Sequence, residues 1–148
     1  MNIKDINQKI KEKGFNNLTI EEKKYKASEI WKDRNRKNKW GGIFKNQENF
    51  IKWYLEEKRE CRCCHVQEEK VRKFFYKNNN KNITRSEKRG HILELDKIDN
   101  FLSNEPYNEK NCGLLCYVCN NAKSNFINDY DSFKPIAKGI EEFWKRQG

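Results

Sequence analysis

The chain has 148 residues, 35% of them hydrophobic and 36% charged, which allows one lean core and excludes two independent ones. Its formal charge of +10 and pI near 9.3 point to a polyanionic partner, and clusters of basic residues interleaved with aromatics favour nucleic acid over a membrane surface. No apolar stretch follows Met1, so neither a signal peptide nor a transmembrane helix is expected, and the six cysteines read as metal ligands or free thiols of a reducing, cytoplasmic setting.

Ile3, Ile6 and Ile10 recur at helical spacing, and Gly14 supplies the stop of a short first helix. Thr19-Ile20-Glu21-Glu22 is a capping-box sequence, so a second helix should run from Ile20 towards Asn38 with Tyr25, Ala27, Ile30 and Trp31 on its apolar side. Its last turns carry Lys32, Arg34, Arg36, Lys37 and Lys39, cations that suit the negative end of the helix dipole and equally a DNA backbone. Residues 1–43 thus read as a basic helical arm, broken from residues 44–148 by Gly41-Gly42 and expected to pack with them as one unit.

A third helix is predicted from Gln47 to Lys58, where Phe50 with Tyr54 and Ile51 with Leu55 form i, i+4 pairs. It leads into Cys61-Arg62-Cys63-Cys64-His65, and Val66 to Lys77 then reads as an amphipathic helix burying Val71, Phe74 and Phe75. The polar run from Lys77 to Asn82 is an exposed loop by composition. Eight basic residues between Lys70 and Arg89 face one acid, Glu87, which makes this stretch a phosphate-contacting flank or a solvated loop.

From His91 to Ile98 apolar and acidic residues alternate, so a strand would bury Leu93 and Leu95 and send Glu94 and Asp96 to the other face. After a turn-rich connection, Gly113 to Tyr117 reads as the partner strand and Cys119 as the start of a helix, giving an α+β chain. A last helix capped by Asp131 or Ser132 would hold Pro135 in its first turn and bury Phe133, Ile136, Ile140, Phe143 and Trp144.

Two Cys-x-x-Cys pairs, Cys61 with Cys64 and Cys116 with Cys119, stand 51 residues apart and supply four thiolates for a tetrahedral structural zinc. Cys112 reads as a small buried hydrophobe, while Cys63 and His65 remain as substitutes within the ligand set.

Leu95-Asp96-Lys97-Ile98, Asn111 placed five residues before Cys116, and Cys116-Tyr117-Val118-Cys119-Asn120-Asn121-Ala122-Lys123 together resemble the HNH, or ββα-metal, endonucleases. The resemblance spans about Phe44 to Trp144 and departs where Lys97 stands in place of the family's catalytic His, as in a small restriction and phage-type branch. It implies a ββα-metal core, a metal-dependent DNA endonuclease, and a divalent ion, Mg²⁺ or Mn²⁺, held by Asp96 and Asn120. Asn111 would orient the connecting loop, and Lys123 would cap the helix interior or meet a phosphate.

A lysine of ordinary pKa stabilises charge but accepts protons poorly, so His91 is the first choice of general base, with His65 and Tyr107 behind it. Arg34, Arg36, Arg85 and Arg89 are the candidate base readers, and a palindromic target would require a two-fold homodimer. A zinc-stapled DNA-binding module without catalysis and a structure-selective or nicking nuclease are the competing readings.

Overall fold

The computed structural model describes residues 1–37, 44, 46–77, 89–100, 108–124 and 126–148. Arg85, Tyr107, Lys39, Trp40, Gly41-Gly42 and the polar loop that follows Lys77 lie outside those residues.

Helix α1 (Ile3–Lys13) ends at Gly14, whose φ of 89° suits glycine and whose N–H reaches the Ile10 carbonyl at 2.9 Å. The capping box forms as read: the Thr19 N–H donates to the Glu22 carboxylate at 2.9 Å, and the Glu22 N–H to the Thr19 hydroxyl at 3.1 Å. It opens α2 (Ile20–Lys37), which packs on α1 and on α3 (Gln47–Glu56), so Ile6, Ile10 and Ala27 of the arm share one core with Phe50 and Tyr54.

Helix α4 (Glu68–Lys77) begins two residues later than the periodicity suggests, because Val66 and Gln67 belong to a tight turn. There the Cys61 N–H bonds the Val66 carbonyl at 2.9 Å and Glu60 bridges Gln67. Arg59 and Glu68, both buried, pair across this turn at 2.9 Å, and Glu68 also accepts the Leu93 N–H at 2.8 Å. That carboxylate fixes the entry of the sheet.

Strands β1 (Glu94–Lys97) and β2 (Cys112–Leu115) pair antiparallel, with Asp96 opposite Gly113. Both are shorter than the alternation suggests, yet Leu93 and Leu95 are buried as expected. Helix α5 (Tyr117–Lys123) starts before Cys119 because the Cys116 sulfur is its N-cap, accepting the Cys119 N–H at 3.4 Å.

Helix α6 (Tyr130–Lys145) is capped by Asp129, not by Asp131 or Ser132, through the Ser132 N–H at 2.7 Å. Pro135 therefore falls in the second turn, with no N–H to offer the Asp131 carbonyl. Its buried stripe is Phe133, Ala137 and Trp144, while Ile136 and Phe143 are exposed, because the buried face follows i, i+4, i+7, i+11 spacing from Phe133. Among the described residues no helix is long and apolar enough to cross a membrane.

Candidate active site and metal centre

The sulfurs of Cys61, Cys64, Cys116 and Cys119 all lie within 4.8 Å of one another and are buried. The sulfurs of Cys64 and Cys116 stand 3.7 Å apart, too far for a disulfide. Buried, close together and each offering one sulfur, the four residues could hold one metal ion.

The first pair sits on a turn closed by His65, whose φ of 67° places it in the left-handed region, and the His65 N–H bonds the Cys61 carbonyl at 2.9 Å. Its ring is exposed and pairs with Glu141 of α6 at 3.0 Å, apart from the four-cysteine cluster. Burial pushes the Cys63 thiol up to about 12, and Cys112 is fully buried, as a small hydrophobe would be.

Helix α5 leaves this cluster and crosses the acidic face of β1. Asn120 donates to Glu94 at 2.8 Å, and Lys123, three residues on, pairs with Asp96 and reaches the Lys97 carbonyl, each at 3.1 Å. Glu94 is also gripped by Arg89 through two nitrogens, at 2.6 and 2.8 Å, and the Arg89 guanidinium lies 4.3 Å above the Tyr117 ring. Asn111 is buried and clamps the backbone of Asp99, accepting its N–H at 2.8 Å and donating to its carbonyl at 2.9 Å, which fixes the exit of β1.

A groove of about 540 Å³ lies between α2 and β1; Lys26, Arg34, Arg36, Arg89 and Asn120 line it together with the acids Glu29, Asp33 and Glu94 and with Leu93 and Leu95. Three of the arginines expected at DNA thus share one cavity with Asn120. Asp96 lies behind, mostly buried; desolvation raises its carboxyl above the usual range while Lys123 pulls it down.

Two expectations are corrected. His91, the expected base, is buried in a bend ahead of β1 and not in the strand itself, so its ring is shielded from the solvent that would supply the attacking water. Lys123 is fully buried beneath the strand, so it holds Asp96 and cannot meet a phosphate. Glu94 was overlooked; the signal was present in the alternation, which puts it on the face of Asp96.

No family model matches the chain, and no curated protein does. Among solved structures the chain is similar to the rare-cutting HNH restriction endonuclease PacI, with 24% identity over 81% of this chain and 80% of that one and a TM-score of 0.58. The hairpin, the helix behind it and the helices around them are therefore arranged as an HNH, ββα-metal fold.

Proposed function

We propose that this protein is a divalent-metal-dependent DNA endonuclease of the HNH type. The observation that carries the reading is the seating of α5, which brings Asn120 onto Glu94 of β1 in a groove that Arg34, Arg36 and Arg89 also line. The shared fold with an HNH restriction endonuclease supports it.

The four-cysteine cluster suits structural zinc: thiolates about 2.3 Å from a common ion stand roughly 3.8 Å apart in a tetrahedron, close to the 3.7 Å between Cys64 and Cys116. Asp96 and Asn120 offer oxygen donors for Mg²⁺ or Mn²⁺, which when bound would polarise the scissile phosphate and carry charge on the leaving oxygen.

The remaining steps fall to the chain itself. Lys123 holds one oxygen of Asp96, so the carboxylate keeps a fixed aim. Lys97 adds positive charge beside the site, and Arg34, Arg36 and Arg89 bind and orient the duplex along the groove. His65 is tied to Glu141 and His91 is buried, so in this reading the proton of the attacking water passes to solvent and not to a histidine. His91→Ala should then keep its turnover if it folds, and a pH–rate profile should lack a histidine inflection near 6.5.

Lys97 favours a second reading, a zinc-stapled DNA-binding module without catalysis, because an ammonium replaces the family's usual base. Plasmid incubated with the zinc-loaded protein, with and without added Mg²⁺ or Mn²⁺, separates the two. Cleavage that needs the added ion and is lost in Asp96→Ala, while that variant still binds DNA, establishes the enzyme; binding alone establishes the module. Discrete fragments would indicate a sequence-specific, restriction-type enzyme, and a palindromic site would then call for a homodimer. Nicked or smeared products would indicate a shape-selective nuclease.

A further inference from the structure

Each carboxylate on the acidic face of β1 carries its own protein cation, and the two cations differ in freedom. Lys123, on Asp96, is fully buried and held by three oxygens: Asp96 and the Lys97 carbonyl at 3.1 Å, and the Asn100 amide at 3.5 Å. It has nowhere to go. Arg89, on Glu94, is about one-third exposed, lines the groove, and reaches Asn121 only at 3.5 Å.

We infer that Glu94 is a third oxygen ligand of the divalent ion, shut off in the free protein by Arg89, whose guanidinium occupies the carboxylate until a DNA phosphate draws it away. This rests on the nuclease reading above. Three observations converge on it. Glu94 already touches Asn120, at 2.8 Å, so a carboxylate and an amide stand side by side where an ion could take both. Both line the groove through which DNA would arrive, whereas Asp96 is not among the lining residues.

The third concerns exchange. A guanidinium binding two carboxylate oxygens meets the same two-point geometry on a phosphate, so Arg89 can trade one for the other without losing its paired hydrogen bonds. Its seat on Tyr117 keeps it at the mouth of the site. Arg89 would then couple the arrival of backbone to the opening of the ion's third ligand, and metal would be held weakly until substrate is present.

Mn²⁺ binding to the zinc-loaded, DNA-free protein tests this without any turnover, read by loss of the free-ion electron paramagnetic resonance signal. Arg89→Ala should bind Mn²⁺ on the order of tenfold more tightly than the unaltered chain, since a unit charge a few ångströms away is removed and a carboxylate is released. Arg89→Lys, which keeps a charge but loses the two-point grip, should fall between, and it guards against a fold defect in the alanine variant. The double variant R89A/E94Q decides the matter. If the gain disappears, Glu94 is the ligand; if it persists, the effect is charge through space and the inference is overturned. Equal affinity in Arg89→Ala and the unaltered protein overturns it as well. Were the unaltered protein to cleave DNA with Mn²⁺ while showing either of those results, the nuclease reading would stand and this inference alone would fall. Absence of both Mn²⁺ binding and cleavage would sink the two together.

Discussion

Single side chains set the terms at Glu22 and Gly139. Glu22 accepts from Lys9 at 2.5 Å and from the Thr19 N–H; the Lys9 bond foremost, and the Thr19 N–H after it, hold its carboxyl down to about 2, against an ordinary 4.5. A folded-state pKa below the unfolded one adds stability above pH 4.5 that is lost as pH falls towards 2. The melting temperature of Glu22→Gln should therefore trail the parent near pH 6, and the gap should close on acidification through that window. Gly139 lies within α6 with open space where a Cβ would stand, so Gly139→Ala should stabilise the fold by about 1 kcal/mol in urea denaturation. At this scale the sequence was legible where chemistry is local. The Thr19–Glu22 box and the glycine stop at position 14 follow from neighbours in the chain. The burial of Lys123 does not, because lysine is almost never fully buried unless paired, and its partner Asp96 comes from β1, 27 positions earlier in the chain.

Between elements, two ties seat the hairpin. Glu68 satisfies the buried guanidinium of Arg59 and the first N–H leading into β1, so Glu68→Ala should cost about 3–5 kcal/mol by leaving a buried charge alone. Chemical denaturation of that variant, compared with the double variant R59M/E68L, would show the cost to be one of a broken pair and not of lost volume. The four cysteines tie α5 to the turn after α3. Cys119→Ser, or removal of the metal by a strong chelator, should melt the hairpin and α5 together; amide exchange in Leu114 and Leu115 would report it. The existence and order of these elements were readable from periodicity and from the two Cys-x-x-Cys pairs. Their edges were not. Val66 was lost to a turn in which its carbonyl accepts the Cys61 N–H, and α5 gained two residues because a cysteine sulfur caps it.

For the molecule as a whole, the formal charge is +10, and four of its cations, Lys26, Arg34, Arg36 and Arg89, line one groove together with the acids Glu29, Asp33 and Glu94. If Arg34 and Arg36 contact phosphates, alanine at either should weaken duplex binding about equally for all sequences. Each should also reduce the slope of log affinity against log salt by about 1. An unchanged slope would place the duplex elsewhere. Sequence alone expected the arm to pack with the rest as one unit, but not through which residues; its share of the core comes from Ile6, Ile10 and Ala27 clustered with Phe50 and Tyr54, and from Phe15 edge-on to Tyr54, contacts that no local pattern announces. The cysteine centre has one more consequence, for how the chain is made. Cys64 and its partner Cys116 are 52 positions apart. At ribosomal speeds of roughly 5–20 residues per second the first thiol pair waits on the order of 3–10 seconds for the second. During that interval it is an incomplete chelate exposed to oxidants and competing ions, so yield during synthesis should depend on the supply of zinc and reductant well before any nuclease can act.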